Sequence, residues 1–126
     1  MESPSLKLEH ADSRGEIYSI SFGDGQEIML LHSTPGALRG GHSHDVNEVV
    51  VLLSGQMRYH KFLHGEDCPR AYRPGEVSYN PAGEIHMGEF LEDSWLIEYK
   101  FDTHRGRWSQ EDYEPYRAKV RASAAR

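Results

Sequence analysis

The chain has 126 residues, a single cysteine, and 14 basic against 20 acidic side chains for a net charge of −6. That length suits one domain with one modest core. The acidic balance without a basic stripe speaks against nucleic acid as a partner, and no apolar run approaches the ~20 residues that a membrane span needs.

Residues 1–15 are polar and mixed, and read as a loose N-terminal arm. Met1–His10 lacks a basic region followed by an apolar stretch, so no secretory signal is expected. From Glu16 the pattern changes to short alternating runs, with Tyr18, Ile20 and Phe22 on one face and Ser19 and Ser21 opposite. Gly23-Asp24-Gly25 reads as a turn and Glu27–Ser33 as the next strand, stopped by Thr34-Pro35-Gly36. Glu48–Leu53 and Gln56–Phe62 read as strands joined by a tight hairpin at Ser54-Gly55. Leu63–Arg70 reads as a polar loop holding Cys68, whose acidic neighbours Glu66 and Asp67 oppose thiolate formation. A lone cysteine excludes an intramolecular disulfide and points to a reducing compartment, the cytoplasm.

A turn at Arg73-Pro74-Gly75 leads to a strand over Glu76–Asn80. Ser94–Phe101 alternates Trp95, Ile97, Tyr99 and Phe101 on one side. Strand runs at intervals of about ten residues, with no long helical period between them, predict an all-β sandwich or barrel over 16–107. Only the tail, 108–126, suggests helix: Ser109 as a cap, Pro115 as a constraint, and good helix formers over Tyr116–Ala125.

Two blocks within the strands carry chemistry. The first is Gly36, His42, His44, Glu48 and Gly55; the second is Gly75, Pro81, Gly83 and His86. At this composition about 0.05 accidental His-x-His-x3-Glu matches are expected in the chain. Residues i and i+2 of a strand point the same way about 7 Å apart, so His42 and His44 can converge on one ion. In a straight strand Glu48 would lie about 13 Å further on. The chain must therefore turn at Asp45-Val46-Asn47, and Glu48 then opens the next strand facing back, with Val50 and Leu52 below it. Pro81-Ala82-Gly83 supplies the sharp turn that brings in His86. Three neutral imidazoles and one carboxylate suit a single divalent transition metal (Fe, Mn, Ni, Cu or Zn) better than calcium. Four protein ligands leave positions open for substrate or O₂ on an octahedral ion.

These blocks resemble the two motifs of the cupins: G-x5-H-x-H-x3-E-x6-G at Gly36 to Gly55, and G-x5-P-x-G-x2-H-x3-N at Gly75 to His86, with Phe90 where the pattern has asparagine. The resemblance implies a double-stranded β-helix (jelly-roll) barrel, a bound divalent metal and a homodimer. The substitution at Phe90 touches no ligand but puts the local turn after His86 in question.

Three further residues are candidates for the reaction. Tyr59 is favoured over its neighbour Arg58 to face the cavity. Arg39, just ahead of the histidine pair, suits a two-pronged contact with an anionic substrate group. Glu98 could act as acid or base if it enters the barrel, although its alternation with the apolar side makes a solvent-facing pair with Lys100 the plainer reading. His32, on the face of Ile28 and Leu30, reads as a core or rim residue. His60 reads as exposed, and His104 and His10 as solvated. The expectation is a metal-dependent enzyme acting on a small organic molecule, with a dioxygenase favoured over an isomerase or lyase because this ligand set is common among cupins of that kind. The alternatives are a non-catalytic metal- or ligand-binding module, and an enzyme like the nucleotide-sugar ketoisomerases, faintly suggested by Asp12-Ser13-Arg14-Gly15.

Overall fold

The computed structural model describes residues 3–124; the outermost residues of the expected arm and tail, Ala125 of the expected helix among them, lie outside the described residues. Among the described residues eleven strands form: β1 (Ser5–Asp12), β2 (Gly15–Ser21), β3 (Glu27–Ser33), β4 (Leu38–His44), β5 (Glu48–Ser54), β6 (Met57–Leu63), β7 (Glu66–Tyr72), β8 (Val77–Asn80), β9 (Ile85–Phe90), β10 (Ser94–Lys100) and β11 (Gln110–Asp112). One helix, α1 (Glu114–Ala124), follows. The strands build two antiparallel sheets, β1-β2-β3-β10-β5-β8 and β11-β4-β9-β6-β7. From β3 onward the chain switches sheets at almost every connection, and so winds the two sheets into a jelly roll around one interior.

Between the sheets lie Leu31, Val50, Leu52, Met57, Tyr72, Phe90 and Leu96, all buried. A second apolar cluster lies outside the barrel, where Tyr116 and Val120 of α1 pack on Met87 with Leu38, Phe62 and Ile85. Pro115 does not shorten the helix. It is the second residue of α1, in the first turn, where its missing N–H costs no intrahelical bond.

Several expectations change. The arm is a strand over most of its length: β1 pairs with β2 from Ser5↔Ser21 to Asp12↔Gly15. Ser54-Gly55 is not a hairpin, because β5 pairs with β8 and β10 while β6 pairs with β7 and β9; the turn carries the chain from one sheet to the other. Gly55 has φ 91°, and a Cβ there would overlap the Ser94 hydroxyl, so the crossing requires glycine. The expected loop at 63–70 is a tight turn at His64-Gly65 followed by β7, with exposed Cys68 on that strand. Ser109 caps no helix; its N–H donates to Asp45 Oδ1, and the segment after it is β11 on the edge of β4. Phe90 introduces no turn. It ends β9 with its side chain in the core and its backbone bonded to Gly36 and Ala37.

Strand parity also reverses expectation. Ser19, Leu31 and Leu96 face inward, whereas Tyr18, His32 and Trp95 stack on the outer surface of the first sheet. On β10 this turns Glu98 and Lys100 into the interior.

Candidate metal centre

The histidine pair owes its direction to an irregularity in β4. Arg39 pairs with Gly88 and His42 with His86, but the register shifts between Gly40 and His42. Arg39 and His42 are three residues apart, so on a regular strand they would face opposite ways. The bulge adds one residue and both face inward. Gly40 and Gly41 have φ values of 105° and 81°. A Cβ on Gly40 would come within 2.8 Å of the His86 carbonyl, and one on Gly41 would overlap the Arg117 side chain. Only glycine fits either position.

Across this bulge the three imidazoles meet. Ring centroids lie 4.6 Å apart for His42–His44, 5.1 Å for His42–His86 and 5.2 Å for His44–His86. One nitrogen from each can be chosen so that all three lie within 4.8 Å of one another. The chain turns at 45–47 into the other sheet, and Glu48 opens β5 fully buried. Its carboxylate comes to 3.7 Å from His44 Nε2 and 3.4 Å from His86 Nε2.

The donor set fits a divalent ion. His42 Nδ1, His44 Nδ1 and His86 Nε2 are buried and make no hydrogen bond, a costly state for polar atoms, while Glu48 Oε2 is paired with the Lys100 ammonium at 3.0 Å. Burial pushes His42 down to about 3 and His44 down to about 4, and lowers His86 as well. All three are therefore neutral imidazoles at pH 7, the form that ligates metal. Burial alone would raise Glu48, but the Lys100 ammonium, with the two nearby histidines, holds it below the ordinary range.

The histidines form part of the wall of a cavity of about 810 Å³ that also contains Tyr59, Arg39 and Glu98 among its lining residues. Six of the seven side chains singled out in the sequence thus share one space, and Glu48 sits behind it against two of the imidazoles. Tyr59 stacks on His86 and accepts a hydrogen bond from Asn80 Nδ2 at 2.7 Å; burial raises its pKa well above the usual tyrosine value. Glu98 and Lys100 both line the cavity, not the solvent-facing surface that alternation suggested, and burial pushes Glu98 up to about 7. Nor is Arg39 arranged for a two-pronged contact. Its Nε donates to Ser33 Oγ at 2.8 Å, and its Nη2 to the carbonyls of His32 at 3.0 Å and Arg14 at 3.2 Å.

The sequence reading missed three neighbours. Lys100 lies 3.0 Å from Glu48 Oε2 and 4.1 Å from the centre of the Trp108 ring. Trp108 meets His44 edge-on at 5.0 Å. Asn80 donates to Glu48 Oε1 at 3.0 Å. Lys100 could have been found from its two-residue spacing to Glu98, had the inner face been taken as the polar one. Trp108 reaches the site from an irregular segment that carries no periodic signal.

No family model matches the chain, and no curated protein matches it. Solved structures do. The capsular polysaccharide assembling protein CapF of Staphylococcus aureus is 21% identical, covering 89% of this chain and 32% of its own, with TM-score 0.65. An oxalate decarboxylase is 20% identical over 93% of this chain and 34% of its own, TM-score 0.67. The fold is the cupin jelly roll. KdgF from Halomonas sp. extends the likeness to a protein of similar size, 18% identical over 73% of this chain and 82% of its own, TM-score 0.60. The chain spans about a third of CapF, and identities this low establish the fold alone.

Proposed function

We propose that this protein is a metal-dependent enzyme that moves a proton on a small organic substrate, an isomerase or lyase. The observation that carries the reading is one cavity lined both by three imidazoles that each keep a buried nitrogen without a hydrogen bond and by an inward-facing carboxyl group, Glu98, which burial pushes up to about 7, into the range of an acid–base catalyst. His42, His44, His86 and Glu48 would hold the divalent ion. When bound, such an ion polarises a carbonyl or hydroxyl oxygen of the substrate. Glu98 takes up and returns the proton. A second pocket of about 190 Å³ shares Glu98 and Lys100 with the first. Tyr59, held by Asn80, orients the substrate beside His86, and Arg39 binds an anionic group. Lys100 and Asn80 fix the Glu48 carboxylate.

A dioxygenase is the second reading, favoured by the mixed imidazole–carboxylate donor set, which suits Fe(II). The protein loaded in turn with Fe(II), Mn(II) and Zn(II), and offered a panel of small organic acids in deuterated buffer, separates them. Deuterium incorporation or elimination without oxygen consumption is expected. Oxygen consumed in step with turnover would support the dioxygenase, and no chemical change with any ion would leave a binding module. The homodimer has a surface to use: the outer face of the first sheet presents Tyr18, Trp95 and Ile97 half-buried, with Tyr79 and Val77 exposed.

A further inference from the structure

The cavity has a second pole. Arg14, Lys100, Arg117 and Arg121 line it as well as Arg39, but each of those four already has a carboxylate at 2.7–3.6 Å: Asp12, Glu48, Asp112 and Glu114 respectively. Arg39 has none among the described residues. Its three partners are a hydroxyl and two carbonyls, and Glu98, on the same cavity wall, is not among them. A half-buried guanidinium held by neutral acceptors, with no carboxylate within ion-pair distance among the described residues, is compensated only from further away, and its charge favours an incoming anion.

The donors that remain define the anion. Nε has one N–H and Nη2 has two, and all three are committed to protein acceptors. Only Nη1 is left. The parallel fork that clamps a phosphate or both oxygens of a carboxylate is closed, and what remains is a contact with a single carboxylate oxygen. Gly40 and Gly88 line the cavity between Arg39 and the histidines and bring no side chain into it. Two to three residues of strand, about 7–10 Å, separate the two poles. The facing wall from the other sheet is Ile17, Met29, Leu31 and Leu96, side chains that welcome methylenes rather than hydroxyls.

We infer that the substrate is a short two-ended organic acid, with an oxygen-bearing end at His42, His44 and His86, a carboxylate on Arg39 Nη1, and an aliphatic body between them. This assignment rests on the proposed function, since it takes the histidine cluster as a loaded metal centre. The zinc-loaded protein is titrated calorimetrically with malonate, succinate, glutarate and adipate, and with butyrate as the one-ended control. The best dicarboxylate should bind at least about tenfold tighter than butyrate, the size of one charged hydrogen bond. Arg39→Gln should abolish that preference while still taking up zinc. Arg39→Lys, which keeps a cation should the glutamine variant fold poorly, should retain part of it. Equal binding of butyrate and the best dicarboxylate, or a preference unchanged in Arg39→Gln, overturns the substrate assignment and leaves the metal reading standing. Failure of the protein to take up zinc overturns both.

Discussion

Three histidines inside the barrel and a single buried one outside it, His60, sit on opposite faces of the sheet that holds β9, and they differ in how their nitrogens are used. Inside the barrel, His42, His44 and His86 converge with a buried nitrogen each that makes no hydrogen bond. Outside it, beneath α1, His60 is 2% exposed, and both of its nitrogens are satisfied, Nδ1 by Asp67 at 2.9 Å and Nε2 by Glu89 at 3.1 Å. Tyr116 of the helix donates to the other oxygen of Asp67. The outer group ties a helix to a sheet and lines neither cavity. The inner group spends buried polar atoms on no internal partner, which a fold tolerates where a ligand will satisfy them. Burial of histidine is therefore not the mark of the site; unsatisfied convergence is.

The largest expected effects come from cutting each group. His86→Ala should weaken divalent metal binding by more than about 100-fold, more than outer partners of a ligand usually contribute, as read by competition with a chelating dye. His60→Ala should do the reverse. It removes the ring between Asp67 and Glu89, which keep Tyr116 and Arg58 as partners, and should cost about 1–3 kcal/mol of stability in denaturant unfolding, with metal uptake retained. If His60→Ala lost the metal and left stability unchanged, the contrast between the two groups would fail.

A smaller effect should follow from Lys100. Its ammonium compensates Glu48 in the metal-free protein, so Lys100→Met should leave that carboxylate uncompensated and raise metal affinity by about tenfold, equivalent to about 1.4 kcal/mol. Thermal unfolding with and without zinc would show it as a wider gap in Tm than in the parent protein.

The smallest concerns His32 on the outer surface, which bonds Glu16 at 2.8 Å and Asp93 at 2.7 Å. The Glu16 carboxylate, and then that of Asp93, raise its pKa above 6.5. A raised folded-state pKa contributes stability that is fully present below the unfolded value and is lost as pH rises through the folded one. The stability difference between the parent and His32→Gln should accordingly be largest below about pH 6.5 and shrink in alkaline buffer. It should stay under about 1 kcal/mol, because the carboxylates are solvent-screened. A difference that grew with pH would contradict this.

The sequence exposed the inner site because its residues are punctuated: the two histidines at i and i+2, a turn before Glu48, and glycines where the backbone reverses or bulges. It hid the direction of the strands around that site. On β2 and β10 the more apolar set of alternate residues points to the outer surface, which carries Tyr18, Trp95 and Ile97, while Ser19, Glu98 and Lys100 turn inward. An inside-is-apolar rule therefore turned Glu98 and Lys100 the wrong way. The edge strands β1 and β7 were missed because their residues are mostly exposed and polar, so partner strands rather than burial dictate their conformation. Arg39 was assigned to the cavity from its position alone, but the loss of its fork follows from Ser33, His32 and Arg14, which the sequence does not bring together.

The central claim is that three imidazoles and the carboxylate of Glu48 hold one divalent ion. Titration of chelator-stripped protein with Zn(II), Mn(II) and Fe(II), with the bound metal counted per chain, tests it most directly. One ion per chain in the parent, lost in the double variant His42→Ala/His44→Ala and kept in His60→Ala, is the predicted result. No uptake of any of the three ions, or uptake that survives removal of both His42 and His44, would contradict it.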